Sequence, residues 1–85
     1  MMAGYHLTNI PKGILGDWSK VEEEYAECID SMKQKNKLMA LVEISDLLGA
    51  LDAYVRKQSN ESLTLDDILK MTEATKKAFI SGARK

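Results

Sequence analysis

The sequence predicts an all-α protein with three main helices, whose bundle is completed by further copies of the chain. Three observations predict it. Apolar residues step by three and four along three segments, the spacing of one helix face. No stretch alternates apolar and polar residues as a half-buried strand would. The middle segment is apolar on nearly every side, and a chain of 85 residues has too few helices to surround it. The expectation is one domain over 1–85, a four-helix bundle shared between chains as a homodimer or homotetramer.

Residues 1–16 read as an irregular arm, punctuated by Pro11, Gly13 and Gly16. Asp17 or Ser19 is placed to cap the first helix, and Ser19 with Glu22 fits a capping box. Trp18, Val21, Tyr25, Cys28, Ile29 and Met32 then form one stripe. The polar run 33–37 holds three lysines, which suit the negative end of that helix, and Asn36 is a turn residue. A second helix is expected from about Leu38 to Gln58, with apolar residues around most of its circumference. Residues 59–62 are a loop. Thr64 caps a third helix, with Asp67 three residues on as capping-box partner, and Leu65, Ile68, Leu69, Thr72 and Phe79 give it one apolar face. Its end is basic, with Lys76, Lys77, Arg84 and Lys85.

Charge and composition narrow the function. Twelve Lys+Arg against thirteen Asp+Glu leave a net charge of −1, without the basic footprint of a nucleic-acid coat. Hydrophobic residues are 45% of the chain, enough for a core. A single cysteine, Cys28, excludes an intramolecular disulfide framework and a multi-cysteine metal site. Residues 1–10 lack the basic and apolar regions of a targeting signal. The most apolar run, 38–55, carries Glu43, Asp46 and Asp52, which are too costly inside a bilayer. The expectation is a cytoplasmic protein that binds neither membrane nor nucleic acid.

The acids are the informative feature. Glu23 and Glu24 lie four and three residues before Glu27, hence on neighbouring positions of the first helix. Glu43 and Asp46 share a sector of the second helix with Met39, Ala50 and Ala53, and no Lys or Arg occurs from 38 to 55. If the two helices pack antiparallel, Glu24 and Glu27 face Glu43 and Asp46. Carboxylates brought together raise one another's pKa values unless a cation meets them. A hard divalent cation such as Mg²⁺ or Mn²⁺ suits four oxygen donors. Spacing alone leaves a second reading equally open: structural acids paired with Lys33, Lys35 or Lys37 or with a partner chain, beside a solvated acidic helix start favoured by the macrodipole.

Glu23-Glu24-x-x-Glu27, fifteen residues, then Glu43-x-x-Asp46 resembles the E-E-x-x-E…E-x-x-D signature of MazG-like nucleotide pyrophosphohydrolases, the all-α NTP pyrophosphatase superfamily. The segment Ser45-Asp46-Leu47-Leu48-Gly49-Ala50, the arm's Lys12-Gly13-x-x-Gly16 and the stretch from Lys70 to Arg84 are similar to the small members, many from phages. The resemblance implies a Mg²⁺-dependent enzyme that cleaves the α–β phosphoanhydride of a nucleoside triphosphate or related nucleotide, releasing a monophosphate and pyrophosphate. It implies Glu24, Glu27, Glu43 and Asp46 as metal ligands and Glu23 as an outer acid that orients water. Lys12, Lys77 and Arg84 would clamp phosphates, although Lys77 and Arg84 equally suit a basic helix end. Trp18 is a candidate to stack on the base, against its reading as the start of the apolar stripe. His6, in the arm, carries no assignment. Two other readings compete: a nucleotide-binding regulator with little turnover, and an interaction module in which the second helix is only a dimer seam.

Overall fold

The computed structural model describes residues 7–81, apart from the side chains at 79 and 81. Three helices follow one another, α1 (Trp18–Lys33), α2 (Lys37–Gln58) and α3 (Leu65–Ser81), with no strand among the described residues. The short turn between α1 and α2 folds them into an antiparallel hairpin. Its open end is tied by an ion pair from Lys57 Nζ to Asp17 Oδ1 at 2.7 Å and by Trp18 set edge-on to Tyr54, centroids 5.1 Å apart. α3 packs on α2 and makes no helix-to-helix contact with α1 among the described residues.

The helix ends follow local chemistry. Lys35 takes a left-handed conformation, φ 58°, which stops α1, and the Asn36 side chain accepts the Met39 N–H at 3.1 Å to start α2. Asn60 and Glu61 are also left-handed, φ 52° and 66°, and turn the chain out of α2. Thr64 and Asp67 form the expected reciprocal box: Thr64 N–H donates to Asp67 Oδ2 at 2.8 Å, and Asp67 N–H donates to Thr64 Oγ1 at 3.3 Å. The box expected of Ser19 and Glu22 does not form. Asp17 is the N-cap residue of α1, and Ser19 lies inside the helix with its Oγ accepting the Ile14 N–H at 3.0 Å. The arm competes for that hydroxyl and wins it.

The described part of the arm, residues 7–16, is irregular, as expected, but it is anchored. Leu7 N–H donates to both oxygens of Asp30, at 2.9 and 3.0 Å, and Gly13 N–H donates to Glu23 Oε1 at 2.8 Å. Gly13 lies so close to α1 that a Cβ there would overlap the Ser19 carbonyl and the Lys20 nitrogen, so only glycine fits. Gly16, φ 96°, turns the arm into the helix.

The buried set departs from an ordinary core. Val21, Cys28 and Ala50 are buried, but so are Glu23, Glu24, Asp30, Ser31 and Glu43. Half of the apolar stripe expected on α1 faces out: Trp18, Tyr25 and Met32 are each at least 50% exposed. On α2, Leu41, Ile44 and Leu48 are exposed at 65%, 45% and 41%. With Leu51 and Val55 they step by three and four along one face, the spacing of a helix-to-helix seam.

Candidate metal centre

The hairpin brings the acids of α1 and α2 together. Glu24, Glu43 and Asp46 each offer an oxygen within 4.8 Å of the others, and so do Glu23, Glu24 and Glu27. Glu24 belongs to both groups and joins them. The antiparallel packing on which the convergence of these acids depends is the packing that the hairpin adopts. Glu43 is 2% exposed and Glu24 6%, whereas Asp46 stands at the exposed mouth. The two acids of the second helix, which share one sector, thus differ in burial.

Electrostatics separate Glu27, Asp46 and Glu23. The Glu27 carboxyl is pushed up to about 8, first by burial and then by the charges of Glu24 and Glu43, with which the cluster crowds it. Asp46 is also raised, by loss of water on its inner side, then by the charge of Glu43 and a hydrogen bond to it, while Lys20 pulls it partly back. Glu23 goes the other way. Burial pushes it up, but the Gly13 N–H and the Lys20 ammonium outweigh burial and leave it lowered. One oxygen of Glu24, Oε1, is buried without a hydrogen-bond partner. A buried carboxylate oxygen with no donor is costly, and a cation on that oxygen removes the cost.

Lys20 is the residue that sequence reading missed. Its Nζ lies 3.1 Å from Glu23 Oε1 and 3.0 Å from Glu24 Oε2, so one ammonium bridges two buried acids. Its own pKa is raised, chiefly by the hydrogen bond to Glu24, which outweighs the lowering by burial. The signal was in the spacing, since Lys20 stands three before Glu23 and four before Glu24. Cys28 is buried beside the cluster, its thiol pushed up by burial and then by the carboxylates of Glu43, Glu24, Glu27 and Asp46.

The other candidates are scattered. Lys12 Nζ lies 3.6 Å from Glu23 Oε2 with its side chain largely in solvent, which keeps it at the edge of the cluster. Trp18 is half exposed and leans on Tyr54 at the rim of a groove of about 350 Å³ lined also by Val21, Tyr25, Leu47 and Leu51. Lys77 is exposed on α3, which packs on α2 and makes no helix-to-helix contact with α1 among the described residues. Arg84 and His6 lie outside the described residues, as does the side chain of Phe79. No helix among the described residues is long and apolar enough to cross a membrane.

The chain matches no protein-family model, no curated protein and no solved structure.

Proposed function

We propose that the chain is a MazG-like nucleotide pyrophosphohydrolase that uses Mg²⁺, or Mn²⁺ in its place, to split a nucleoside triphosphate into monophosphate and pyrophosphate. The observation that carries this reading is the convergence of Glu24, Glu43 and Asp46 within 4.8 Å around a buried, undonated oxygen of Glu24. All-oxygen donors of this kind fit a hard divalent cation, with Glu24, Glu27, Glu43 and Asp46 as its ligands. When bound, the cation neutralises phosphate oxygens and makes a water molecule a better nucleophile at neutral pH.

The chain's own residues then have distinct tasks. Glu43 and Glu24, both buried, and Asp46, exposed beside them, would hold the cation. Glu27, whose carboxyl is pushed up by burial and by the charges of Glu24 and Glu43, would serve as a ligand in its ionised form. Glu23 is fixed by the arm and orients its neighbours. Lys12 reaches phosphate oxygens from the edge. Lys77, exposed on α3, and Arg84, outside the described residues, are the further candidates for phosphate oxygens. Trp18 offers a face for a base.

The reading includes a homodimer, or a tetramer of dimers. The uncovered stripe of Leu41, Ile44 and Leu48 supports it, because apolar residues at this spacing are covered in stable helical assemblies. Leu48→Asp is expected to abolish assembly or unfold the chain. Light scattering that gives the mass of a single folded chain at micromolar concentration would exclude the dimer. The activity is tested with a panel of nucleotides and Mg²⁺, scored for pyrophosphate and monophosphate. Release from at least one nucleotide is expected. Tight nucleotide binding with no release would make the chain a regulator instead, and neither binding nor release would leave an interaction module.

A further inference from the structure

Lys20 sits where a cation should. Its ammonium lies 3.0 Å from Glu24 Oε2 and 3.1 Å from Glu23 Oε1, with its side chain 28% exposed against 8% and 2% for the two acids. Glu23 has two further donors that do not depend on Lys20: Gly13 N–H at 2.8 Å and the Lys12 ammonium at 3.6 Å. Glu24 has an oxygen buried without a donor. The two ends of the bridge are thus unequal. Glu23 is held in place by the arm whatever Lys20 does, and Glu24 is the acid that a divalent cation needs.

We propose that Lys20 is a built-in competitor for the cation: its ammonium neutralises Glu24 until a divalent ion displaces it, and Glu23, held by the arm, keeps the displaced ammonium in place. This rests on the metal-centre reading above. The exchange is one of ions only, with no bond made or broken. A lysine has one positive charge and Mg²⁺ or Mn²⁺ has two, so the divalent ion wins once it also engages Glu43 and Asp46. The ammonium does not have to leave the site, because its contact with Glu23 already exists. The protein without metal therefore avoids an uncompensated acid cluster, and cation affinity is set below what the carboxylates alone would give. Glu23 acts here as a positioning residue for Lys20, not as a ligand, which refines the outer role the sequence suggested for it.

The test uses Mn²⁺ alone, with no nucleotide, and counts free ion by its paramagnetic resonance signal. Lys20→Met is expected to bind Mn²⁺ roughly tenfold more tightly than the wild type, because a pairing partner of a buried carboxylate has been removed. Lys20→Arg, which keeps the charge, stays near wild type. Lys12→Met, whose ion pair is with Glu23, changes affinity much less. Glu23→Gln is expected to weaken Mn²⁺ binding, since Lys20 then has only Glu24 to hold. In the Lys20→Met background, Glu23→Gln has no effect. Equal or weaker binding by Lys20→Met, with the wild type binding normally, overturns the competitor and leaves the metal centre standing. Glu23→Gln weakening both backgrounds equally makes Glu23 a ligand and overturns its assigned part. No binding by either the wild type or Lys20→Met removes the metal centre and the competitor together. Circular dichroism of each variant separates these outcomes from unfolding.

Discussion

Two regions of this small chain use carboxylates in opposite ways. At the turn between α2 and α3, Asp52 accepts the Leu65 N–H at 2.8 Å and Arg56 Nε at 2.7 Å, and Asp67 accepts the Thr64 N–H and hydroxyl. Both acids are lowered, in each case first by the backbone hydrogen bond. Between α1 and α2, Glu27 and Asp46 are raised, first by loss of water and then by one another's neighbours. The residue type is the same, and what differs is the supply of donors. Where backbone N–H groups converge on an acid, the acid holds the fold. Where acids converge on each other with one lysine among them, the fold holds the acids, and something positive is wanted from outside.

The largest effect is expected at the crowded acids. Asp46→Asn and Glu43→Gln keep size but remove a charge, and pyrophosphate release should fall by roughly a hundredfold or more. Their stability without metal should hold or rise, because repulsion among the carboxylates is reduced. Wild-type turnover by Asp46→Asn would erase the contrast and favour the interaction module. Next in size is the response to Mg²⁺. At a concentration about 100-fold above its dissociation constant, a ligand specific to the native state adds about 2.7 kcal/mol, roughly 10–20 °C in melting temperature for a chain of this length. That shift should appear in the wild type and in Asp67→Asn and vanish in Asp46→Asn. An unchanged melting temperature in millimolar Mg²⁺, with or without nucleotide, would weigh against the centre.

A smaller effect belongs to the turn. Asp67 is lowered on folding, so its contribution is complete above the unfolded carboxylate pKa, near 4, and is lost as pH falls through the folded value. Asp67→Asn should therefore lower the melting temperature modestly at pH 7, and the gap to wild type should narrow from about pH 4 downward. A gap that persists unchanged in acid would mean that the charge of Asp67 is not what caps α3. Smallest of all is Glu22→Gln. Glu22 is exposed at the start of α1, and activity and stability should both stay at wild-type values.

Most of the fold could be read from the sequence because its determinants are local. Asn36 and the Thr64–Asp67 pair act within three residues, and the three helices appear where apolar periodicity put them. The pairing of Glu24 with Glu43 and Asp46 was readable too, since a short turn between two helices forces them antiparallel. Three features were not. The Ser19–Glu22 box looked as sound as the Thr64–Asp67 box, but Ile14 took the Ser19 hydroxyl. Asp30 and Glu23 anchor backbone 23 and 10 residues away, at positions where no local pattern marks an acid as a partner for the arm. Lys20 was in plain view at the right spacing. Such pairs are usually solvated and weak, and only the burial of Glu23 and Glu24 makes this one matter.

Cys28 gives the hairpin a built-in reporter. It is the chain's single sulfhydryl, buried against the acids, with its ionisation suppressed by burial and by their field. A maleimide or iodoacetamide reagent needs both access and thiolate, so alkylation proceeds only through moments when the structure around Cys28 opens. The labelling rate of the unmodified protein, followed by mass spectrometry, thus reads local opening beside the acids. No dye, isotope or engineered residue is required, and the same clock can be run under any ionic condition.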